Sequence, residues 1–266
     1  MAIHPAAVID PKAEIHATAS IGAYAVIGAD VVIGEDTVID AHAVISGPSL
    51  IGKRNHIGSF SSVGSPPQDM HYKGEPTTLV IGDDNSVREY VSIHRGTVAG
   101  RGKTVIGNGC MLMSYCHVAH DCILHDHVIM SNVATLAGHV EVGSYANIGG
   151  LVAVHQFCRI GAYTYIGGMS GISMDVPPYV ILAGTRNQMR ITGVNKIGLR
   201  RNGVSREAVE AIERAFKIIF RAAPKMVLQD ALMQTEQELP ESPEVLALVE
   251  FFRTSKRGVV KRTEEG

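Results

Sequence analysis

Residues 15–47 read IHATASIGAYAVIGADVVIGEDTVIDAHAVISG. Ile15, Ile21, Ile27, Ile33, Ile39 and Ile45 recur at every sixth position. Outward from this stretch the phase starts at Ile3 and Ile9 and runs on through Ile51, Ile57 and Val63. It resumes after a gap at Ile81, Val87 and Ile93. After a one-residue shift it restarts at Ile106 and continues through Leu112, Val118, Leu124, Met130, Leu136, Val142, Ile148, Val154, Ile160 and Ile166 to Ile172. A period of six fits neither a helix nor simple strand alternation. It predicts a parallel β-helix with one short strand per hexapeptide and about 18 residues per triangular coil. The aliphatic residue points inward, and the position four later faces the same narrow interior and must be small. Cys110, Cys116 and Cys122 fill that slot. Their spacing matches no common zinc pattern, so they read as small core residues.

Composition agrees with such a core. The chain has 266 residues, 45% of them apolar and 19% charged, which is enough to build a sizeable interior. Aromatic residues are only 5% and Trp is absent, so the interior is made of small and β-branched side chains. The 28 glycines follow no collagen triplet. No run approaches the roughly 18 apolar residues of a membrane span. No cationic-then-apolar signal opens the chain, and the cytoplasm is the expected compartment. Four cysteines make no disulfide framework. Charge is unevenly spread: residues 1–185 carry 9 basic and 15 acidic groups, and residues 186–266 carry 15 basic and 11 acidic groups. A basic tail on an acidic body suggests an acidic partner or a phosphorylated ligand. The basic residues form no aromatic-interleaved patch, so no nucleic acid is expected.

Two stretches leave the repeat, at 64–80 and 95–105, where binding residues tend to collect. The repeat is expected to end near Asp175–Tyr179, where two prolines stop strand pairing. This divides the chain into a β-helix over 1–185 and a small helical domain over 186–266. Ser205 predicts a capped helix over 206–222, a second is expected at about 225–239, and Ser242-Pro243 starts a third. Residues Lys261–Gly266 are expected to fray. The bundle should cover the open end of the last coil.

Seven histidines lie between 94 and 155. Residues 18 apart should stack roughly 4.8 Å apart, which puts His120 below Gly138 and Asp121 below His139. His120 beside Asp121 reads as a general base with its orienting carboxylate, given a local corner that lets the two meet. The Gly138 N–H could serve an oxyanion. Base and oxyanion donor together suit acyl transfer from a thioester. A competing reading places zinc on His120 and His125, as in hexapeptide-repeat carbonic anhydrases, and lacks a suitably placed third histidine.

The segments QDMHYKGEPT (68–77), IHRGT (93–97), HVAHDC (117–122), TLAGH (135–139), IGGLVAVHQF (148–157), DVPPYV (175–180) and GVNKIGLRRNG (193–203) occur in this order. Over almost its whole length the chain resembles the UDP-N-acetylglucosamine acyltransferase family of lipid A biosynthesis. The lack of an N-terminal uridine-binding domain argues against the N-acyltransferase of the same pathway. The lack of an N-terminal helical domain argues against a serine acetyltransferase. The resemblance implies a mainly β fold, a left-handed parallel β-helix followed by a C-terminal helical domain, in a homotrimer with sites between subunits. It implies transfer of a 3-hydroxyacyl chain from acyl carrier protein to the 3-hydroxyl of UDP-N-acetylglucosamine, with no cofactor and no metal. It makes His120 the base, Asp121 its partner and Gly138 the oxyanion donor. Asp69 and His117 would contact the sugar, with His71, His139 and His155 nearby. Gln156 would hold the nucleotide, and Asn195 and Arg201 the nucleotide or its phosphates. Gly168 would set the acyl-chain length, with Met169 beside it. The acidity of acyl carrier protein would give the basic tail a purpose. His71 stands where many members have Lys, Ile197 replaces an acidic residue of some members, and 184–194 is about two residues longer than in some relatives. Some members acylate a 3-amino analogue instead, which keeps N-acyl transfer as the alternative.

Overall fold

Each hexapeptide supplies one short strand and one tight corner in the computed structural model, which describes residues 2–185, 188–221, 226–261 and 263. Within the coils, up to Ile172, strands three places apart pair in parallel. Three sheets of eleven, nine and eight strands result, here called faces A, B and C. Register partners lie 18 residues apart, as Ile21 with Ile39 and Val118 with Leu136. Ile21, Ile27, Ile33, Ile39 and Ile45 are at most 2% exposed, so the hexad column is the interior. Each such burial contributes about 2 kcal/mol. The corners require left-handed backbone: Asp36, His42, Tyr90, Asp121 and Tyr145 have φ between +55° and +62°. Holding a side-chain-bearing residue there costs about 1 kcal/mol, so the inward column outweighs the corner in every repeat.

The small-residue slot behaves as expected. Cys110, Cys116, Cys122 and also Cys158 are buried and unpaired. The Cys116 thiol donates to the Ser131 carbonyl at 3.1 Å and the Cys122 thiol to that of Ala137 at 3.2 Å. Burial pushes the Cys122 thiol up to about 12, which leaves no reactive thiolate.

The two excursions are shorter than the sequence suggests. Strands extend over Ser62–Ser65, Thr78–Ile81 and Lys103–Ile106, which leaves 66–77 and 95–102 outside the ladders. Partner spacing widens to 30 residues between Ser62 and Ser92 and to 25 between Ser92 and His117.

Pro177 and Pro178 end the repeat but not the sheet, contrary to expectation. Val180–Ala183 still pairs in parallel with Tyr165–Ile166, and Arg190–Val194 folds back on it antiparallel. Both prolines precede the strand, so no ladder N–H is lost. Face A therefore continues past residue 185. The short helix α1 (Lys196–Arg201) was not expected. Its N-cap is Asn195, whose side chain accepts from the Gly198 N–H. Helix α2 (Arg206–Phe216) is capped by Ser205 and continues as a π-helical turn over Lys217–Arg221. The expected boundaries at 222 and 225 lie outside the described residues. Helix α3 covers Leu228–Glu238, and α4 covers Pro243–Arg253 with Ser242 accepting from the Val245 N–H. Of the expected frayed end, Lys261 and Thr263 are described, and Thr263 bridges to Ile191. One apolar core runs from Ala19 in the coils to Val260 in the tail. Among the described residues no helix is long and apolar enough to cross a membrane.

Candidate active site

Asp121 occupies the left-handed corner between faces B and C. That corner turns its carboxylate back toward its own neighbour, and His120 Nδ1 lies 2.9 Å from Asp121 Oδ2. The carboxylate is wholly buried, yet it is not short of donors. It accepts from the Thr97 N–H, from the Thr97 hydroxyl at 2.7 Å and from the Arg101 N–H at 2.7 Å. Burial alone would raise its pKa. The hydrogen bonds from His120, Thr97 and Arg101 overcome that and hold it down at about 2. Asp121 is thus ionised at neutral pH and accepts a hydrogen bond from the Nδ1–H of His120. The lone pair is left on Nε2, on the far side of the ring.

Gly138 lies one coil above. A methyl group on its Cα would lie 2.7 Å from His120 Cε1 and 2.8 Å from Nε2. The imidazole therefore lies where a side chain at 138 would be, and only glycine admits it. Among the described residues no protein group accepts from the Gly138 N–H.

The two excursions fix this arrangement. Residues 95–102 roof the Asp121 carboxylate, so closely that a Cβ at Gly100 would lie within 2.5 Å of both oxygens. The 66–77 excursion is fastened by Arg95, which donates to the Gly47 and Gly64 carbonyls at 2.9 Å each and to the Tyr72 hydroxyl at 3.0 Å. On that excursion Asp69 Oδ1 accepts from the His71 N–H at 2.9 Å, which holds Asp69 below the usual carboxylate range. The charge of His120 acts in the same direction. Thr97, Arg101 and Arg95 were not singled out in the sequence. The only signal was the widened spacing around IHRGT.

Further histidines surround the pair. His139 meets His120 edge-on at 5.1 Å and stacks on Phe157 at 4.4 Å. His117 bonds the Ser92 hydroxyl at 2.7 Å and meets His94 edge-on at 5.2 Å. Burial, and then the charge of His120, pull His117 below its ordinary value. His94 is 7% exposed and its Nδ1 has no partner. Burial holds it down at about 4. His155 and Gln156 are exposed one coil above Gly138 and two above His120, with His155 Nδ1 3.3 Å from Arg257.

His125, expected in the zinc alternative, pairs with Glu141 at 3.3 Å instead. The group whose donor atoms do converge is His120, Asp121 and His139, within 4.8 Å of one another. Asp121 is already saturated there by protein donors, so a cation would have to break the bond that orients His120. The donor set fits an oriented base better than a metal site.

Not every expected residue joins this cluster within one chain. Asn195, Ile197 and Arg201 line a cleft of about 580 Å³ against face A, with Tyr145 and Tyr165. Asn195 spends its Oδ1 on Gly198 and its Nδ2 on the Tyr163 carbonyl at 2.8 Å, which leaves one donor and one acceptor site open. Gly168 and Met169 lie at the corner between faces A and B, with Met169 75% exposed. Between that corner and His120 runs the outer column of face B: His117, Thr135, Ala153 and Gly171. Its side chains shrink as it climbs.

The repeat pattern of bacterial hexapeptide transferases matches residues 30–65 and 103–138. A hexapeptide coil that carries an oriented imidazole on its wall defines the class, a hexapeptide-repeat acyltransferase. The family described as UDP N-acetylglucosamine O-acyltransferase, Domain 2, matches residues 175–260. The acyl-[acyl-carrier-protein]–UDP-N-acetylglucosamine O-acyltransferase of Thermodesulfovibrio yellowstonii is 49% identical over 201 residues, 76% of each chain. Its counterpart in Myxococcus xanthus is 43% identical over 201 residues, again 76% of each. The solved structure of LpxA from Acinetobacter baumannii is 42% identical, with TM-score 0.92 over 97% of this chain and 99% of that one. UDP-N-acetylglucosamine acyltransferase from Campylobacter jejuni is 38% identical, with TM-score 0.90 over 97% and 98%. The chain belongs to the UDP-N-acetylglucosamine O-acyltransferase family. It is an acyltransferase, and its fold is the left-handed parallel β-helix with a small helical C-terminal part. These relatives are named as O-acyltransferases, which does not favour the amide-forming alternative.

Proposed function

We propose that this chain transfers a 3-hydroxyacyl group from acyl carrier protein to the 3-hydroxyl of UDP-N-acetylglucosamine, the first step of lipid A biosynthesis, in the cytoplasm. The observation that carries the reading is the His120 ring, fixed between a buried ionised Asp121 and the bare backbone of Gly138. His120 Nε2 takes the proton of the sugar hydroxyl as its oxygen attacks the thioester carbonyl. The Gly138 N–H stabilises the oxyanion, the C–S bond breaks, and the proton passes to the departing thiolate. A positioned base of this kind contributes about 10²–10⁴ in rate. Asp121 fixes the tautomer and balances the imidazolium.

Asp69, His71, His117, His139 and His155 hold the sugar, and Gln156 the nucleotide. Asn195 and Arg201 hold the diphosphate. The acyl chain lies along the narrowing face-B column toward Gly168 and Met169. Residues 1–185 act as the scaffold and 186–266 as the unit that supplies the phosphate contacts. Asn195 and Arg201 lie on face A and His120 at the B/C corner, so one chain does not offer a complete set. This supports a homotrimer in which face A of one subunit meets face B of the next. Subunits carrying His120→Ala, mixed with subunits carrying Arg201→Ala, should then regain activity that neither has alone. Mixing without recovery would sink the shared site.

The reaction itself is tested by mass spectrometry of the product from purified protein, UDP-N-acetylglucosamine and a mixture of 3-hydroxyacyl carrier proteins. A single O-acylated nucleotide sugar is expected. No acylated product from folded protein would overturn the reading.

A further inference from the structure

Beside the histidine cluster lies a second cleft, about 310 Å³ in volume, bounded on one side by His139 and Phe157. Its other walls carry four cations, Arg101, Arg159, Lys256 and Arg257, against two carboxylates, Glu141 and Asp175. The bonding of these groups shows where the unbalanced charge lies. Arg159 is consumed by Asp175, by the Thr254 hydroxyl at 3.1 Å and by the Phe251 carbonyl at 2.9 Å. Arg101 spans the Asp121 carbonyl and Glu141. Asp175 also accepts from the Arg159 N–H and the Ser255 hydroxyl, each at 2.8 Å, and Glu141 from His125. Both carboxylates are thus committed. Lys256 forms no ion pair among the described residues, and Arg257 makes only long contacts, 3.3 Å to His155 Nδ1 and 3.4 Å to the Ser173 carbonyl. Both are exposed.

The turn that carries them is built into the fold. Ser255 is tied to Asp175, the Asp175 N–H donates to the Gly258 carbonyl at 2.9 Å, and the Val260 N–H donates to the Asp175 carbonyl at 2.9 Å. A single buried carboxyl residue in the last coil therefore clamps both sides of the Lys256–Arg257 turn. The chain returns from the end of α4 to set two uncompensated cations next to the ring that stacks on His139.

Resting on the acyl-transfer reading, we propose that this cleft binds the phosphodiester of the donor's carrier arm. Lys256 and Arg257 hold the anion while the thioester reaches His120. A phosphate ester suits this site because its charge needs cations whose hydrogen-bonding capacity is still open. The reaction has a second source of phosphate, the diphosphate of the acceptor. The Asn195–Arg201 cleft on face A already offers it a guanidinium, that of Arg201, and the open amide positions of Asn195.

Beside the full acyl carrier protein, the test compares in steady-state kinetics two small donors that differ only in the phosphate, 3-hydroxyacyl phosphopantetheine and 3-hydroxyacyl pantetheine. The enzymes are the wild type, Lys256→Glu and Arg257→Gln. We expect wild type to prefer the phosphate-bearing donor in kcat/KM. Lys256→Glu should lose at least tenfold of that preference, with the change in donor KM, and Arg257→Gln a smaller share. An unchanged preference in a folded variant overturns the proposal, and so does a rise confined to the KM of UDP-N-acetylglucosamine, which would assign the cleft to the acceptor. A third arm, Lys256→Arg, should keep most of the preference; loss there equal to that of Lys256→Glu would mean a structural role and would also overturn it. Failure of wild type to turn over any donor, the full acyl carrier protein included, is a different outcome, because it removes the acyl-transfer reading itself.

Discussion

Two corners of the same coil, built on the same left-handed backbone, are used in opposite ways. Between faces A and B the corner residues Tyr24, His42, Phe60, Tyr90 and Tyr115 stack ring on ring, with centroids 4.8–5.2 Å apart. Among the described residues no insertion covers this ladder, and Tyr90 remains 44% exposed. Between faces B and C the corner holds Asp121, which is wholly buried because residues 95–102 leave the repeat and close over it. The corner backbone is nearly identical, with φ of +60° at both Tyr90 and Asp121. The hexad fixes the backbone and the inward column, and it leaves corner side chains free to vary. A corner becomes chemical when an insertion desolvates it and supplies donors for the charge.

The sharpest way to break this contrast is to remove the roofed group. Asp121→Ala leaves the Thr97 N–H, the Thr97 hydroxyl and the Arg101 N–H without their acceptor. Stability should drop by about 3 kcal/mol. The 95–102 excursion should become open to proteolysis, and kcat should fall at least about 10²-fold. Urea unfolding and limited proteolysis read the first two effects. A variant of native stability would show that the roof does not depend on the carboxylate.

Acid should separate the corners next. Burial holds His94 at about 4 against an ordinary 6.5, so between those values the unfolded chain binds a proton that the folded chain refuses. The His94 contribution is whole above about pH 6.5 and is lost as pH falls toward 4, up to about 3 kcal/mol. His117 acts in the same direction. Asp121 adds a further loss only below its ordinary carboxylate range, down to about 2. Urea midpoints measured from pH 7.5 to 4.5 should fall steeply in wild type and less steeply in His94→Asn. Equal slopes would remove His94 as the source.

The smallest effect should come from the ladder. Tyr90→Ala removes two ring contacts, at 5.2 and 4.8 Å, and should cost about 1–2 kcal/mol with turnover per folded enzyme unchanged. A loss of turnover without a loss of stability would mean that the two corners communicate.

The difference between the corners also explains what the sequence revealed. The inward column from Ile3 to Ile172, the cysteine slot and the caps Ser205 and Ser242 are properties of local period and local hydrogen bonding, and they can be read directly. The pairing of His120 with Asp121 and its place under Gly138 follow from counting 18 residues and allowing one corner. The donors from Thr97 and Arg101 could not be read this way, because they sit on an insertion where the period carries no information. The strand beyond Pro178 and the short helix α1 were missed for a related reason. Their stability comes from packing on face A and from the Asn195 cap, not from a repeating pattern.

The most direct test of the central claim is the turnover of His120→Ala at saturating donor and acceptor, read beside its urea midpoint. The account predicts a midpoint lowered by less than in Asp121→Ala, because Thr97 and Arg101 still hold the carboxylate, and a fall in kcat of about 10³-fold, the contribution of one positioned general base. A variant that keeps kcat within tenfold of wild type, at native stability, would contradict it, and the base would have to be sought elsewhere on the wall.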